Sequence, residues 1–443
     1  MLCHLRPEMG LGKIRVASIT ILRRRWHALS SSRSAHGGGG AWEDGSATAA
    51  IHADAEPRGG VSPDLGLSTT FSLAPGDDAA GIEADHIYSR ISNPTRDRCE
   101  ALLGAVEGVR DAPAHAVLYS SGLAATFAAL VRLLPKRVAI SGGYHATHHV
   151  LEQLSRIAGG TAYEVVALPA PEDAARDLRP GDVVWLETPL NPTLDVHDIA
   201  AYAEVAKAVG DVRVVVDGTF APPPLQRPLL LGADIVMHST TKSLAGHSDA
   251  IGGALCVADP TLATELREER TNLGSTPGQL EVWLLMRSLR TLHLRVDRQS
   301  RTATRLAAWL EAATPGGGGG EGGVGGVPDP HPLAGLVHAV HHPSLPSHAG
   351  HAVAKRQMTG GYGGCFAVEL ATECAARELP AALELFRDAT SLGGVEGLAE
   401  WRRKYDDEVS PLLVRISVGL EEPEDLEADL ERAIIATAAT SES

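Results

Sequence analysis

Aromatic residues, cysteines and long apolar runs are all scarce in this sequence of 443 residues. Phe, Tyr and Trp make up 4% of the chain, although the hydrophobic fraction of 44% is ordinary for a globular protein. No apolar run approaches the roughly 20 residues of a membrane-spanning helix. Basic charge is also in deficit, and the formal net charge of −16 would repel a polyanion. We therefore expect a soluble protein that binds neither membranes nor nucleic acid.

The few cysteines and the many histidines form no recognisable metal or disulfide pattern. The five cysteines are dispersed, without a C-x-x-C pair, which is typical of reduced thiols in the cytosol or a mitochondrial matrix. The 19 histidines include no H-E-x-x-H and no Cys/His zinc spacing, so we predict no metal site. A G-x-G-x-x-G motif after an early strand and a G-x-x-x-x-G-K-[ST] loop are both missing, which argues against nicotinamide and nucleoside triphosphate cofactors.

Residues 1–46 differ in composition from the rest of the chain. Their first 42 residues contain seven Arg or Lys and a single acid, Glu8, followed by Ser30–Ser32 and four glycines from Gly37. This composition is typical of a mitochondrial transit peptide, and a disordered tail or a misassigned start is an equal alternative. We predict a cytoplasmic protein, with the mitochondrial matrix as the alternative.

From about residue 116, short β-branched apolar runs alternate with helical patterns such as Leu123–Leu134 and Ile199–Val209. The predicted strands are Ala116–Tyr119, Arg137–Ile140, Glu164–Leu168, Val183–Leu186, Arg213–Val216 and Asp234–Met237. Continuous apolar strands separated by helices predict an α/β fold whose mainly parallel sheet is covered on both faces. Ligands of such sheets bind at the carboxyl ends of the strands.

The alternation stops near residue 260. It is followed by a helix-rich stretch (Glu281–Ala313) and by a glycine-rich insert at 316–326. A smaller α+β region then contains the predicted strands Cys365–Leu370 and Leu412–Val418 and ends in a helix that begins after Pro423. We predict a leader at 1–46, an N-terminal arm at 47–109, a large domain at 110–299 and a C-terminal domain at 300–443.

A single lysine follows a strand in the segment Asp234–Asp249, which reads D-I-V-M-H-S-T-T-K-S-L-A-G-H-S-D. A lysine at the carboxyl end of a strand can be desolvated, which lowers its pKa and makes it a nucleophile for an aldehyde. The hydroxyls of Ser239 and Thr241 can hold a phosphate near the same ring. Lys242 is therefore a candidate for a Schiff base with pyridoxal 5′-phosphate (PLP), although S-x-T-K by itself is also compatible with a surface turn.

Two upstream segments add partners for such a cofactor. The strand Arg213–Val216 ends in Asp217, 25 residues before Lys242 and separated from it by one helix-sized crossover. An acid there can pair with a protonated pyridine nitrogen and keep the ring electron-withdrawing. In Leu118–Leu123 a strand passes through Ser121 and Gly122 into a helix, whose free N–H groups and positive dipole end suit a phosphate. A capping residue is the alternative interpretation of either segment.

Taken together, these segments resemble the Cys/Met-metabolism (trans-sulfuration) family of fold-type I PLP enzymes, which includes cystathionine γ-synthases and cystathionine lyases. The resemblance runs from about Thr48 to about Ala438. It is carried by these stretches: Leu67–Phe71, Tyr88–Thr95, Glu187–Pro192, Ser239–Asp249, Leu284–Leu294, His342–His348, Ala354–Met358, Ser391–Glu396 and Leu413–Gly419. It implies an aminotransferase-like PLP domain with a mainly parallel seven-stranded sheet, and a smaller C-terminal α+β domain.

The resemblance also implies a role for each matching residue. Lys242 would bind PLP and then move protons, while Tyr144 would stack on the ring and act as acid or base. The other implied cofactor-binding residues are Asp217, Gly122, Leu123, Ser239, Thr241, Asn191, Thr219, Tyr88 and Arg90. The implied substrate-binding residues are Arg415, as a clamp for the α-carboxylate, together with Ser391, Glu396 and Tyr88. Tyr88 and Arg90 would reach the phosphate of a neighbouring subunit, so we expect a homodimer or homotetramer with shared sites.

Two segments depart from the family pattern. The loop around Tyr144 carries His145 and Ala146 where family members have glycines, which adds an imidazole near the substrate pocket. Methionine γ-lyases carry a cysteine in place of Ala146, so that activity is disfavoured. The segment Glu400–Tyr405 replaces a longer, His-Pro-containing loop at the entrance of the site.

We predict an enzyme of methionine biosynthesis or cysteine metabolism that makes or breaks a C–S bond of cystathionine or a related amino acid. Cystathionine γ-synthase or γ-lyase activity is expected first, β-lyase second and O-acylhomoserine sulfhydrylase third. A non-catalytic scaffold of this fold would be expected to have lost Lys242, Asp217 or Arg415, and all three are present.

Overall fold

Two β-sheets organise the part of the chain that the computed structural model describes, which comprises residues 46–53, 60–72, 86–108, 113–157, 159–160, 163–315 and 331–440. These residues belong to one compact unit, Asp44–Ser443. Residues 1–45 of the predicted leader (1–46) and the whole glycine-rich insert (316–326) fall outside the described residues, whereas Ser46 is the first residue of a helix.

The first sheet has seven strands, as expected, in the order β1-β7-β6-β5-β4-β2-β3. The strands are β1 His115–Tyr119, β2 Arg137–Ala139, β3 Glu164–Val166, β4 Asp182–Glu187, β5 Arg213–Asp217, β6 Ile235–Ser239 and β7 Gly253–Val257. Strands β2 to β6 pair in parallel, whereas β7 runs antiparallel to both of its neighbours. All six residues of β4 are buried, which explains its unbroken apolar pattern.

Helices enclose this sheet. They are α1 Ser46–His52, α2 Pro94–Glu107, α3 Gly122–Leu133, α4 His145–Ile157, α5 Pro171–Asp177, α6 Ile199–Val209, α7 Pro260–Leu273 and α8 Gln279–Leu289. Apolar side chains of α3 and α4 pack on one face of the sheet, and those of α5 and α6 pack on the other. No helix in the described ranges is long and apolar enough to cross a membrane.

The second sheet is mainly antiparallel, in the order β10-β11-β12-β9-β8. Its strands are β8 Val337–His341, β9 Cys365–Leu370, β10 Arg387–Asp388, β11 Leu398–Trp401 and β12 Leu413–Ser417. The accompanying helices are α9 Leu292–Glu311, α10 His351–Gln357, α11 Glu373–Ala382 and α12 Pro423–Thr440. The start of α9 packs in the core of the first region and its end packs in the core of the second, so the predicted boundary at residue 299 falls inside one helix. The domain limits remain predictions.

The expected crossover helix between Asp217 and Lys242 is not formed. A short 3₁₀ helix, Pro228–Leu231, is the regular helix found between β5 and β6 in this fully described stretch. Four prolines in this stretch (Pro222, Pro223, Pro224 and Pro228) explain the difference, because proline lacks the N–H that a helix interior requires.

Candidate active site

A cavity of about 440 Å³ lies where the carboxyl ends of the parallel strands face the second sheet. In register, Glu187 at the end of β4 pairs with Asp217 of β5, and Asp217 pairs with Met237 of β6. The predicted site residues that line the cavity are Gly122, Leu123, Tyr144, Asn191, Asp217, Thr219, Ser239, Thr241, Lys242, Ser391 and Arg415. The structure therefore brings together residues spread over nearly 300 positions of the sequence.

Lys242 follows β6 and projects into the cavity. Its Nζ donates a hydrogen bond of 2.7 Å to the hydroxyl of Ser391. Burial lowers the pKa of Lys242, and the positive charge of Arg415 lowers it further. A lysine with a lowered pKa is more often neutral, and therefore more nucleophilic, than a lysine in water.

Asp217 lies at the end of β5 and is almost completely buried. Its Oδ1 accepts the backbone N–H of Thr219 at 3.0 Å, while the Thr219 hydroxyl accepts the N–H of Ser239 at 3.0 Å. Burial raises the pKa of the Asp217 carboxyl. A buried acid of this kind calls for a cationic partner, and a protonated ring nitrogen would supply one.

The turn between β1 and α3 brings the start of a helix to the cavity. Ser121 caps the helix, because its hydroxyl accepts the N–H of Ala124 at 3.1 Å. A Cβ added to Gly122 would lie 3.0 Å from the Cβ of Ser239, so glycine allows the helix terminus to approach this serine. Gly122, Leu123, Ser239 and Thr241 line the same cavity. The Thr241 hydroxyl is bonded to the backbone of Gly252, since it donates to the carbonyl at 3.2 Å and accepts the N–H at 3.1 Å.

Arg415, in β12, lies on the opposite side of the cavity and is almost completely buried. Its Nη1 donates to Oδ1 of Asn191 at 2.8 Å, and its Nη2 donates to the Ser391 carbonyl at 2.9 Å and to Glu400 at 2.5 Å. Asn191 is therefore held by Arg415, a contact that the sequence did not indicate.

The cavity also contains Glu187, which carries no predicted role although it belongs to a family-like stretch. Its two oxygens accept the N–H groups of Tyr144, at 2.7 Å, and of Asn191, at 2.8 Å. Burial and the nearby carboxylate of Asp217 raise the pKa of Glu187 to about 8. Glu187 thus fixes the backbone of two predicted site residues, and its place at the end of a buried strand was the signal that could have identified it.

Glu400, Arg402 and Tyr405 also line the cavity and were missed as site residues. Glu400 pairs with Arg415 across the β11–β12 register and accepts a second bond from Arg402. The only sequence signal was that Glu400–Tyr405 departs from the longer, His-Pro-containing loop of the family pattern. His145 lines the cavity as well, and partial burial and the charge of Arg402 lower its pKa. Ala146 is not among the lining residues.

Tyr88, Arg90 and Glu396 do not line this cavity among the described residues. The Arg90 guanidinium lies 5.5 Å from the centre of the Tyr88 ring, and the ring is 44% exposed. The backbone on either side is held firmly, because Arg96 donates to the Ser89 carbonyl at 2.7 Å and Arg270 donates to that of Ile91. The roles predicted for Tyr88, Arg90 and Glu396 stay predictions.

The donor set fits PLP. One cavity is lined by a desolvated lysine, by a buried acid 25 positions earlier and by the start of a helix at which glycine leaves the backbone accessible. These groups match an aldehyde, a pyridine nitrogen and a phosphate.

Comparison with known proteins gives consistent matches. The family model described as Cys/Met metabolism PLP-dependent enzyme matches residues 47–435. The cystathionine γ-synthase of Mycobacterium tuberculosis is 37% identical over 92% of this chain and 100% of its own length. The cystathionine γ-lyase of Sus scrofa is 34% identical, covering 90% of this chain and 95% of its own. The crystal structure of apo CalE6, a methionine γ-lyase from Micromonospora echinospora, has a TM-score of 0.75 and 37% identity, covering 88% of this chain and 98% of its own.

Proposed function

The chain belongs to the Cys/Met-metabolism family of PLP-dependent enzymes, and we propose that it acts on cystathionine or its precursor as a γ-synthase or γ-lyase. One observation carries the proposal. Lys242, Asp217 and Arg415 come from three different segments and line a single cavity. A scaffold without catalytic function would have no need to keep these three groups together.

The cofactor-binding groups would meet three parts of PLP: Lys242 the aldehyde, Asp217 the pyridine nitrogen, and the start of α3 the phosphate. PLP, when bound, supplies an electron sink for negative charge at the α-carbon of the substrate. Asp217 would keep the pyridine nitrogen protonated, and the N–H groups of Gly122 and Leu123 would hold the phosphate with Ser239 and Thr241. Thr219 donates its N–H to Asp217 and accepts the N–H of Ser239, so it fixes the distance between the acid and the serine proposed for the phosphate.

Arg415 would orient the substrate through its α-carboxylate, with Asn191 and Ser391 fixing the guanidinium from the other side. Lys242 would remove the α-proton, a task that its lowered pKa favours because the acceptor must be neutral. Tyr144 would deliver a proton to the departing sulfur or oxygen. In γ-chemistry, a second proton is removed at the β-carbon before the γ-substituent leaves.

Analysis of the reaction products identifies the substrate of the protein. Purified protein supplied with L-cystathionine should release 2-oxobutyrate as a γ-lyase, and pyruvate would indicate a β-lyase. If neither forms, an O-acylhomoserine supplied with cysteine should yield cystathionine, and reaction with sulfide instead would indicate a sulfhydrylase. Methionine supplied alone tests for the methionine γ-lyase activity by which CalE6 is named.

The cofactor assignment has its own control. The native protein should carry the visible absorption of bound PLP, and Lys242→Ala should lose it along with activity. Ser243→Ala, which changes the next residue, should retain both. A colourless native protein that gains no absorption with added PLP would refute the proposal.

We also propose that Tyr88 and Arg90 complete the site of a neighbouring subunit in a homodimer or homotetramer. Both lie outside the cavity of their own chain, on a backbone held by Arg96 and Arg270. Mixing inactive Lys242→Ala with inactive Arg90→Ala protein should restore activity, because one of the hybrid sites is intact. Mixed subunits that exchange without recovery would contradict a shared site.

A further inference from the structure

Two arginines share one oxygen of a buried carboxylate at the side of the cavity. Oε2 of Glu400 accepts from Nη2 of Arg415 at 2.5 Å and from Nη1 of Arg402 at 2.9 Å. The exposed fractions of the three residues are 3% for Glu400, 4% for Arg415 and 6% for Arg402. Oε1 of Glu400 and Nε of Arg402 are buried without a hydrogen-bond partner among the described residues. Two guanidinium groups and one carboxylate therefore give these three residues a net charge of +1, and Glu400 and Arg402 each keep one atom that could still form a hydrogen bond.

Arg415 has no free Nη2 hydrogen for a substrate in this arrangement. The two hydrogens of Nη2 are taken by the Ser391 carbonyl and by Glu400, and one hydrogen of Nη1 is taken by Asn191. A carboxylate that binds both terminal nitrogens of a guanidinium must replace one of these acceptors. Glu400 is the charged one of the three, and it would repel the arriving carboxylate most strongly.

We propose that Arg402 is a positioning residue that retains Glu400 when the α-carboxylate of the substrate takes its place on Arg415. The inference rests on the substrate-binding role proposed for Arg415. Since Arg402 already holds the same oxygen, Glu400 stays paired without leaving its strand. The bound state then contains two guanidinium groups and two carboxylates, and the buried charge is balanced. Without Arg402, a buried carboxylate would face the substrate with no counter-ion of its own.

Binding of glycine to the PLP-loaded protein tests this, because glycine has an α-carboxylate but no group that can be eliminated. Calorimetry should give a dissociation constant for glycine that is roughly 10- to 100-fold higher for Arg402→Met than for the native protein. Binding of glycinamide, which lacks the carboxylate, should change little. Arg403→Met is the matched control, because the Arg403 side chain donates to the backbone carbonyls of Asp407 and Val409 and lies outside the cavity lining.

A second substitution separates charge retention from a general structural role. Glu400→Gln should bind glycine more tightly than the native protein, because the competing anion is gone. The double variant Arg402→Met with Glu400→Gln should recover most of the lost affinity. With an amino-acid substrate, Arg402→Met should raise KM and leave kcat nearly unchanged. Unchanged glycine binding in Arg402→Met, weaker binding in Glu400→Gln, or no recovery in the double variant would each overturn the inference.

The same measurements identify a different role for Arg402. If Arg402 instead bound a second carboxylate at the far end of the substrate, the variant would weaken cystathionine binding and leave glycine binding intact, which would also overturn the inference. Failure of the proposed function is seen separately, since it would show as absent turnover of every sulfur substrate while the glycine titrations remain informative. If Arg402→Met does not fold, Arg402→Gln carries the test, because it removes the charge and keeps a hydrogen-bond donor; unchanged glycine binding in Arg402→Gln would equally overturn the inference.

Discussion

Glu100 links the N-terminal arm to β1, the strand that leads into Ser121 and Gly122, and its replacement by glutamine should destabilise the protein markedly. Glu100 lies in α2 and is 4% exposed. Its Oε1 accepts from Nη1 of Arg270 at 2.5 Å and from the N–H of Leu118 at 3.0 Å, and its Oε2 accepts from Arg267 at 3.1 Å. Arg270, itself 1% exposed, also donates to the Leu118 and Ile91 carbonyls. The network thus joins the arm, β1 and α7.

The magnitude follows from the burial of Arg270. Removing one partner of a buried ion pair costs about 3–5 kcal/mol, because the other charge is left without compensation. Glutamine keeps one acceptor oxygen and so recovers about 1 kcal/mol as a hydrogen bond. Arg267 adds little, since its side chain is 38% exposed. We expect Glu100→Gln to lower the free energy of unfolding by about 3 kcal/mol near neutral pH.

Urea unfolding at fixed protein and PLP concentrations measures this loss. Glu265→Gln is the matched control on α7, because the Glu265–Arg132 pair is 37% exposed on both sides and should contribute less than about 1 kcal/mol. Burial alone would raise the pKa of Glu100, but Arg270 and Arg267 outweigh burial and lower it. The difference between native and variant protein should therefore be complete above the unfolded pKa and disappear as the pH falls through the folded pKa. Equal losses for the two variants, or a difference that does not depend on acid, would refute this account.

Three further substitutions test the site. Glu187→Gln should make the stability of the cofactor-free protein less dependent on pH between about 5 and 8. The pKa of Glu187 is raised, so the folded state holds a proton that the unfolded state has released, and the stability of the native protein falls as the pH rises through this window. Thermal unfolding measured between about pH 5 and 8 checks this prediction. Gly122→Ala should weaken PLP binding about tenfold, because the new Cβ lies 3.0 Å from that of Ser239; an equilibrium titration with PLP measures the change. Tyr144→Phe should lower kcat about 100-fold without changing the unfolding transition, since its bond to Glu187 is made by the backbone N–H; unaltered kcat would exclude Tyr144 as the acid.

The missed strands show what a local pattern cannot predict. Strand β7 follows the loop after Lys242 and runs antiparallel, so it does not belong to the strand–helix alternation. The position of β7 depends on close packing, because a Cβ on Gly253 would lie 2.1 Å from the Ser121 carbonyl oxygen. Only glycine therefore lets this strand pass so close to the start of α3. In the second sheet, β10 and β11 contain two and four residues, too few for a period of two to be recognised.

The sequence by itself determined the parallel strands, the acid at the end of β5, the glycine that opens α3 and the lysine after β6. Each of these features depends on only a few consecutive residues. The carboxyl ends of parallel strands necessarily lie at one edge of the sheet, which brings the acid and the lysine close together. The tertiary structure alone decided which charges meet across the cavity. Lys242 and Ser391 are 149 positions apart, and Asn191 and Arg415 are 224 apart. Whether Arg402 and Arg415 share one oxygen of Glu400 depends on the β11–β12 register and on the turn after it, which no composition or spacing specifies.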